Sequence, residues 1–275
     1  MKQRYASSLY LRRDMRIALV GNGNLAWHLN AALREINSRI DLHVVRELPV
    51  SSPWKTTTQL SDINDSFHLV LLAVPDSQIA EVAAQLPEKI IAVHLNYDSR
   101  TKEFMTKLPA APTYFHKPIT ALNSHLGSIV RPQGCKWLNY EGEIVIVIGK
   151  TCRNISPAEA GDYIAGYTIG NDYGLHDFRD TDAGSMLRVK GSDTLAPVGP
   201  GLITDWDFRG KQIRTLVNGV VKQDDNTSNM EWDMHYLVAD IARTITLVPG
   251  DILFSGTPAN SRPVEPGDVV EVEVE

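Results

Sequence analysis

The chain has 275 residues, 43% of them hydrophobic, enough to bury a sizeable core in one large domain or two modest ones. A formal charge of -6, with lysine and arginine scattered rather than blocked, offers no stripe for a nucleic-acid backbone or an anionic membrane. Cys135 and Cys152 stand in neither metal-ligand nor redox spacing, so both are expected as buried small hydrophobes in a cytoplasmic protein without disulfides.

Residues 1–14 carry Lys2, Arg4, Arg12 and Arg13 but no apolar stretch long enough for a signal peptide or a spanning helix. They read as a leader outside the fold. Apolar runs then alternate with helical patterns: Ile17 to Val20, Leu25 to Leu33, Leu42 to Val45, Leu69 to Val74 and Ile79 to Leu86. That alternation predicts βαβ units with a parallel sheet over residues 15–90. Gly21-Asn22-Gly23-Asn24-Leu25-Ala26 follows the first strand and opens a helix, where glycines let a phosphate approach backbone N–H groups. Arg46 stands where an acid would otherwise hold a ribose hydroxyl, and it suits a 2′-phosphate, although Glu47 is adjacent. The stretch resembles the first half of an NADP-binding Rossmann domain of small reductases. Gly21, Gly23, Ala26 and Arg46 are its candidate cofactor contacts, with NADP the implied cofactor. A degenerate glycine turn in a domain that binds no nucleotide is the competing reading.

After Ile90 the pattern becomes short strands between Gly/Pro turns, which predicts a second, β-rich domain over residues 91–275. Glu141-Gly142-Glu143 precedes Ile144 to Ile148, so the two carboxylates lie on one side of a strand start. Like charges so placed repel unless a cation lies between them, and a hard, oxygen-liganded cation such as Mg²⁺ is the usual solution. Asp172, ending the Tyr167 to Ile169 strand, supplies a third acid, while no histidine pair has zinc spacing. Two helix starts are predicted: Ser156-Pro157-Ala158-Glu159, and Ser228 with Glu231 before Tyr236, Leu237, Asp240 and Ile241. Pro249-Gly250-Asp251 and Pro266-Gly267-Asp268 predict type II turns, each followed by a strand.

Leu95-Asn96-Tyr97, Phe115 to Pro118, Tyr140 to Glu143, Gly166 to Asp172, Lys190 to Pro200 and Gly250 to Pro258 together resemble the fumarylacetoacetate hydrolase superfamily. The resemblance runs from about residue 90 to the end, and the family pattern would continue for another strand or so, so a C-terminally truncated domain is expected. It implies a rolled, mixed β-sheet with a metal in its mouth, held by Glu141, Glu143 and Asp172. It also implies Lys190 as the active-site lysine, Thr257 as a substrate-carboxylate contact, Lys117 as a further substrate contact, and a homodimer. The tract Asn171 to Asp182, followed by Met186 to Pro200, is similar to the branch handling 2-hydroxyhepta-2,4-diene-1,7-dioate in homoprotocatechuate (4-hydroxyphenylacetate) breakdown, which includes isomerases and a decarboxylase.

Hydrolytic members place a His-Glu pair after the Asn-Tyr motif; here those positions hold Arg100 and Glu103. A guanidinium stays protonated at any working pH, so Arg100 suits a substrate carboxylate better than a water. Glu103 remains a candidate catalytic base. The implied activity is isomerisation or decarboxylation of a small oxo- or hydroxy-diene dicarboxylate with Mg²⁺ or Mn²⁺, through an enolate, and the Lys190 pKa is expected to fall near the bound cation. Acylpyruvate-type C–C hydrolysis is the alternative within the superfamily, and an NADP-dependent reductase using the glycine loop is the alternative outside it.

Overall fold

The computed structural model describes residues 16–20, 41–45, 55–57, 69–72 and 89–275. The chain divides into two compact units, Met1–Ile79 and Ala80–Glu275. In the first, strands β1 (Arg16–Val20), β2 (Asp41–Val45), β3 (Lys55–Thr57) and β4 (Leu69–Leu72) pair in the order β3-β2-β1-β4, every pairing parallel. The glycine loop, Arg46 and the leader lie outside the described residues.

The second unit is a mixed, β-rich fold. Its strands are β5 (Ile90–His94), β6 (Thr113–Lys117), β7 (Leu122–Ser124), β8 (Leu138–Asn139), β9 (Gly142–Ile148), β10 (Ile164–Asn171), β11 (Gly174–Leu175), β12 (Ala196–Val198), β13 (Gly201–Ile203), β14 (Gln212–Val217), β15 (Val220–Asn226), β16 (Ile252–Phe254) and β17 (Val270–Val274). Its main sheet runs β13-β10-β9-β16-β5-β6, antiparallel except where β16 meets β5, with β12 antiparallel to β10 and parallel to β7. A separate antiparallel sheet has the order β15-β14-β17.

Strand β9 is the centre because its Ile-Val-Ile-Val-Ile run suits a pleat covered on both sides. Ile144, Ile146 and Ile148 enter one core cluster, whereas Val145 enters another with Ile90, Ala92, Phe115 and Phe254. Each fully buried isoleucine contributes about 1.5–3 kcal/mol from removal of its apolar surface from water. The first cluster is closed by a helix, Met234–Ala242, whose Met234, Leu237, Val238 and Ile241 recur at helical spacing on its buried face.

Three sequence expectations change. That helix starts at Met234 rather than near Ser228, because the Asp233 carboxylate accepts the Tyr236 N–H at 2.8 Å and caps it, while Ser228 sits in a 3₁₀ turn. The Ser156 box leads into a 3₁₀ helix, Ala160–Tyr163: the Ser156 N–H and hydroxyl both donate to Glu159, so the serine oxygen does not cap an α-helix. Cys135 is only partly buried, whereas Cys152 is buried, and both are free thiols. The two turns meet expectation, with Gly250 at φ 89° and Gly267 at φ 96°. Among the described residues no helix is long and apolar enough to cross a membrane.

Candidate metal centre

Glu143 lies in β9 with Glu141 two residues before it, and the antiparallel register with β10 sets Gly170 opposite Glu143 and Asn171 opposite Gly142. Asp172 follows directly, and its N–H donates to the Glu141 carbonyl at 2.8 Å. One carboxylate oxygen from each of Glu141, Glu143 and Asp172 falls within 4.8 Å of the others, all three residues being buried. The Asn171 side chain helps by accepting the Glu141 N–H at 2.8 Å.

Cations surround this triad. The Lys190 ammonium donates to Glu141 Oε2 at 2.5 Å and to the Asp172 carbonyl at 2.7 Å, and stands 2.8 Å from Asp172 Oδ2. Lys190 ends a short helix, α2 (Leu187–Lys190), that presents it from the side. Lys117, at the end of β6, is 0% exposed; its ammonium donates to Asp172 Oδ1 at 2.5 Å and to the Lys190 carbonyl at 2.6 Å. Arg100 lies on α1 (Asp98–Glu103) and donates to Glu141 Oε1 and to Glu103 Oε2, each at 2.6 Å. Glu103 also accepts from Arg262 and from the Asn260 N–H.

The electrostatics divide the acids. Burial works against ionisation of Glu141, but Lys190 and Arg100 outweigh it and hold the carboxyl at about 2. Glu143 goes the other way: burial and the charges of Asp172 and Glu141 raise its pKa well above the ordinary value, although Gly256 N–H donates to Oε2 at 2.7 Å. Without a cation, burial and its neighbours thus bias Glu143 toward the protonated form. Three buried carboxylates whose oxygens lie within 4.8 Å of one another, one of them seated on a backbone N–H, form a donor set that fits a hard divalent ion.

The fall in pKa expected for Lys190 belongs to the site with a cation bound; with its carboxylates alone the direction is the opposite. Burial lowers it, but the flanking Asp172 and Glu141 charges prevail and raise it above the ordinary lysine value. For Lys117, burial prevails over Asp172 and the shift is downward. Burial raises the Glu103 carboxyl, yet hydrogen bonds from Arg262 and Arg100 bring it below the usual range.

Thr257 sits on the loop after β16. Its hydroxyl donates to the Gly142 carbonyl at 2.9 Å and accepts from Gln223 at 3.0 Å. Gln223, absent from the sequence reading, is 0% exposed and also donates to the Pro258 and Ala259 carbonyls, tying this loop to β15. The sequence reading also omits Arg262, His94, His176 and Arg179. Both histidines titrate below the ordinary range because of burial, His176 at about 4, and both feel Glu141, Lys190, Arg179 and Arg100.

Residues 89–275 match the model of the fumarylacetoacetate (FAA) hydrolase C-terminal family. The chain belongs to this family. It is 44% identical over 189 residues to the uncharacterized protein MJ1656 of Methanocaldococcus jannaschii, covering 69% of this chain and 79% of that one. It is 36% identical over 188 residues to the 4-hydroxyphenylacetate degradation bifunctional isomerase/decarboxylase of Salmonella dublin, covering 67% of this chain and 44% of that longer protein. A crystal structure of 5-carboxymethyl-2-hydroxymuconate delta-isomerase from Mycobacterium smegmatis superposes with a TM-score of 0.64 at 40% identity, over 69% of this chain and 75% of that one. The family match starts at residue 89 and lends no support to NADP binding by Gly21, Gly23, Ala26 and Arg46.

Proposed function

We propose that this family member isomerises or decarboxylates a small oxo- or hydroxy-diene dicarboxylate with Mg²⁺ or Mn²⁺, as intermediates of 4-hydroxyphenylacetate breakdown require. The observation that carries the reading is the buried triad of Glu141, Glu143 and Asp172 with the Lys190 ammonium between two of its members. The names of the Salmonella dublin relative and the Mycobacterium smegmatis structure support the reaction class.

Glu141, Glu143 and Asp172 would hold a divalent ion, which would supply Lewis-acid polarisation of the substrate's oxo or enol oxygen. Lys190, whose ammonium is held by the Glu141 and Asp172 carboxylates, would offer positive charge and a proton at Nζ as enolate character develops on the substrate. Arg100 orients Glu141 through one arm of its guanidinium, which also ties helix α1 to the triad, while its other arm holds Glu103 on the same helix. Lys117 fixes Asp172 and the Lys190 backbone from behind. Thr257, fixed by Gln223, places its hydroxyl-bearing loop against Gly142.

Charge also favours a diacid. Three buried carboxylates, Glu141, Glu143 and Asp172, face three buried cations, Lys117, Lys190 and Arg100, while Glu103 is further answered by Arg262. A bound dication leaves an excess that a dianionic substrate neutralises.

The test is an ultraviolet assay on 5-carboxymethyl-2-hydroxymuconate and its decarboxylated product, with and without added Mg²⁺ or Mn²⁺. Metal-dependent turnover that Glu141→Ala and Asp172→Ala abolish is expected. A folded, metal-supplemented protein that leaves both compounds unchanged would overturn the reading.

A further inference from the structure

Arg100 was the sequence candidate for a second substrate carboxylate, but both arms of its guanidinium are engaged by Glu103 and Glu141 and the residue is 4% exposed. A neighbouring arginine is differently placed. Arg179 is exposed, and among the described residues its guanidinium makes no hydrogen bond and no ion pair. It instead stacks on the ring of Phe104, 3.9 Å from the centroid. Phe104 follows helix α1, and the same ring carries the Arg100 guanidinium at 4.3 Å. Both distances run to one centroid, so the two guanidinium carbons are separated by no more than about 8 Å. Arg100 in turn touches the triad through Glu141.

Stacking leaves the edge donors of a guanidinium free while it fixes the plane. Arg179 therefore presents a held but unsatisfied fork a short distance from the metal ligands. His176 lies three residues earlier, where its carbonyl accepts the Arg179 N–H at 3.2 Å, and its ring is neutral at ordinary pH and available as a hydrogen-bond donor. His94, at the end of β5, shares the same charged neighbours.

The geometry points to a subsite, made by Arg179 with His176 three residues before it, that receives the carboxylate of a dicarboxylic oxo acid farthest from the metal. This rests on the proposed reading of the triad as the site that takes the oxo-acid end. It assigns diacid selectivity to an exposed arginine on the 176–182 segment and leaves Arg100 as an internal positioning residue. A bidentate guanidinium–carboxylate contact supplies both strength and direction, which a lysine supplies only in part.

Calorimetric titration of the Mg²⁺-loaded protein with 2-oxoadipate and with 2-oxohexanoate tests it, since the two acids differ chiefly in the charge at the far end. The unmodified protein is expected to bind the diacid at least tenfold more tightly. Arg179→Gln should bring that ratio close to one while leaving 2-oxohexanoate affinity within twofold, and Arg179→Lys should retain part of the preference. Equal weakening of both acids would mean that Arg179 merely clamps Phe104 and helix α1, and would overturn the proposal, as would an unchanged ratio or the absence of any preference in the unmodified protein. A diacid preference that depends on Arg179, in a protein that leaves the hydroxymuconate unchanged, would sustain the subsite while refuting the proposed reaction.

Discussion

The Lys117 ammonium donates to Asp172 Oδ1 at 2.5 Å from a position with no solvent exposure, so this lysine acts on the site from behind the carboxylate. Removing one partner of a buried pair leaves the other charge uncompensated, at a cost of about 3–5 kcal/mol. Groups that orient a metal ligand also change metal affinity, typically by about 10–100-fold. Lys117→Met is thus expected to lower stability in urea and to weaken Mn²⁺ binding within that range, with a smaller effect on the KM measured at saturating metal. A large KM change with metal affinity intact would instead place Lys117 against the substrate.

Glu143 gives metal binding a pH dependence whose sign is fixed. Burial and the neighbouring acids raise its folded pKa, so the metal-free site favours a proton there that a bound dication would displace. Metal affinity should therefore tighten as pH rises toward that raised pKa, with proton release of about one per ion. For folding without metal the sign reverses: a raised carboxyl pKa contributes stability that is present below the ordinary value of 4.5 and lost as pH rises through the folded value. Glu141, held at about 2, contributes in the opposite sense, with stability lost as pH falls from 4.5 toward 2. Calorimetry in buffers of different ionisation enthalpy measures the proton directly. Glu143→Gln, which mimics the protonated acid, should keep the fold but lose both the metal and its proton signal.

The proximity of the triad was legible for a simple reason. A strand repeats every two residues, so Glu141 and Glu143 had to share a side, and Asp172 ends a strand that pairs beside them. The same period made β17 readable, and the need for a positive φ at Gly250 and Gly267 did the same for both Pro-Gly turns. What stayed hidden depends on contacts between distant segments: Gln223 reaches Gly142 across 81 positions, and Arg262 reaches Glu103 across 159. No local spacing encodes such pairs. The helix capped by Asp233 was misplaced because two acceptable caps lie five residues apart, and packing of Met234 and Leu237 into the core decides between them. The two carboxylates that hold Lys190 come from just after β10 and just before β9, so no spacing along the chain marks them as its partners.

Gly256 has φ 95°, and a Cβ there would come within 2.7 Å of the Asn96 Cβ. Asn96 cannot yield easily, since its side chain donates to the Trp232 and Ser255 carbonyls and accepts the Trp232 N–H. Because the Gly256 N–H is the donor to Glu143, displacement of this loop reaches the triad at once. Gly256→Ala should destabilise the protein by more than about 1 kcal/mol and lower Mn²⁺ affinity about tenfold or more. Thermal unfolding with and without Mn²⁺ separates the two effects; a variant with unchanged metal response would show that the Gly256 contact to Glu143 is dispensable.

The last prediction concerns hydrolysis. Glu103 is the carboxylate nearest to the role of a water-activating base, yet it accepts from Arg100, Arg262 and the Asn260 N–H and has a pKa below the usual range. A carboxylate so stabilised is a weak base, and an arginine beside it removes no proton from water. Loss of a positioned general base costs about 10²–10⁴ in rate, so the unmodified protein is expected to cleave acylpyruvates at no more than about a hundredth of its isomerisation rate. Arg100→His alone restores a titratable ring but leaves Glu103 held by Arg262. Adding Arg262→Ala removes the charged partner of Oε1, leaving only the shared Asn260 N–H on the carboxylate, and raises its basicity, so the double variant should hydrolyse acylpyruvate faster than either single one. The two sites share Glu103 and their effects should be non-additive. Rates for all four proteins on acylpyruvate and on the hydroxymuconate complete the cycle. Efficient acylpyruvate cleavage by the unmodified protein would return it to the hydrolytic branch, with Glu103 acting as base despite its partners.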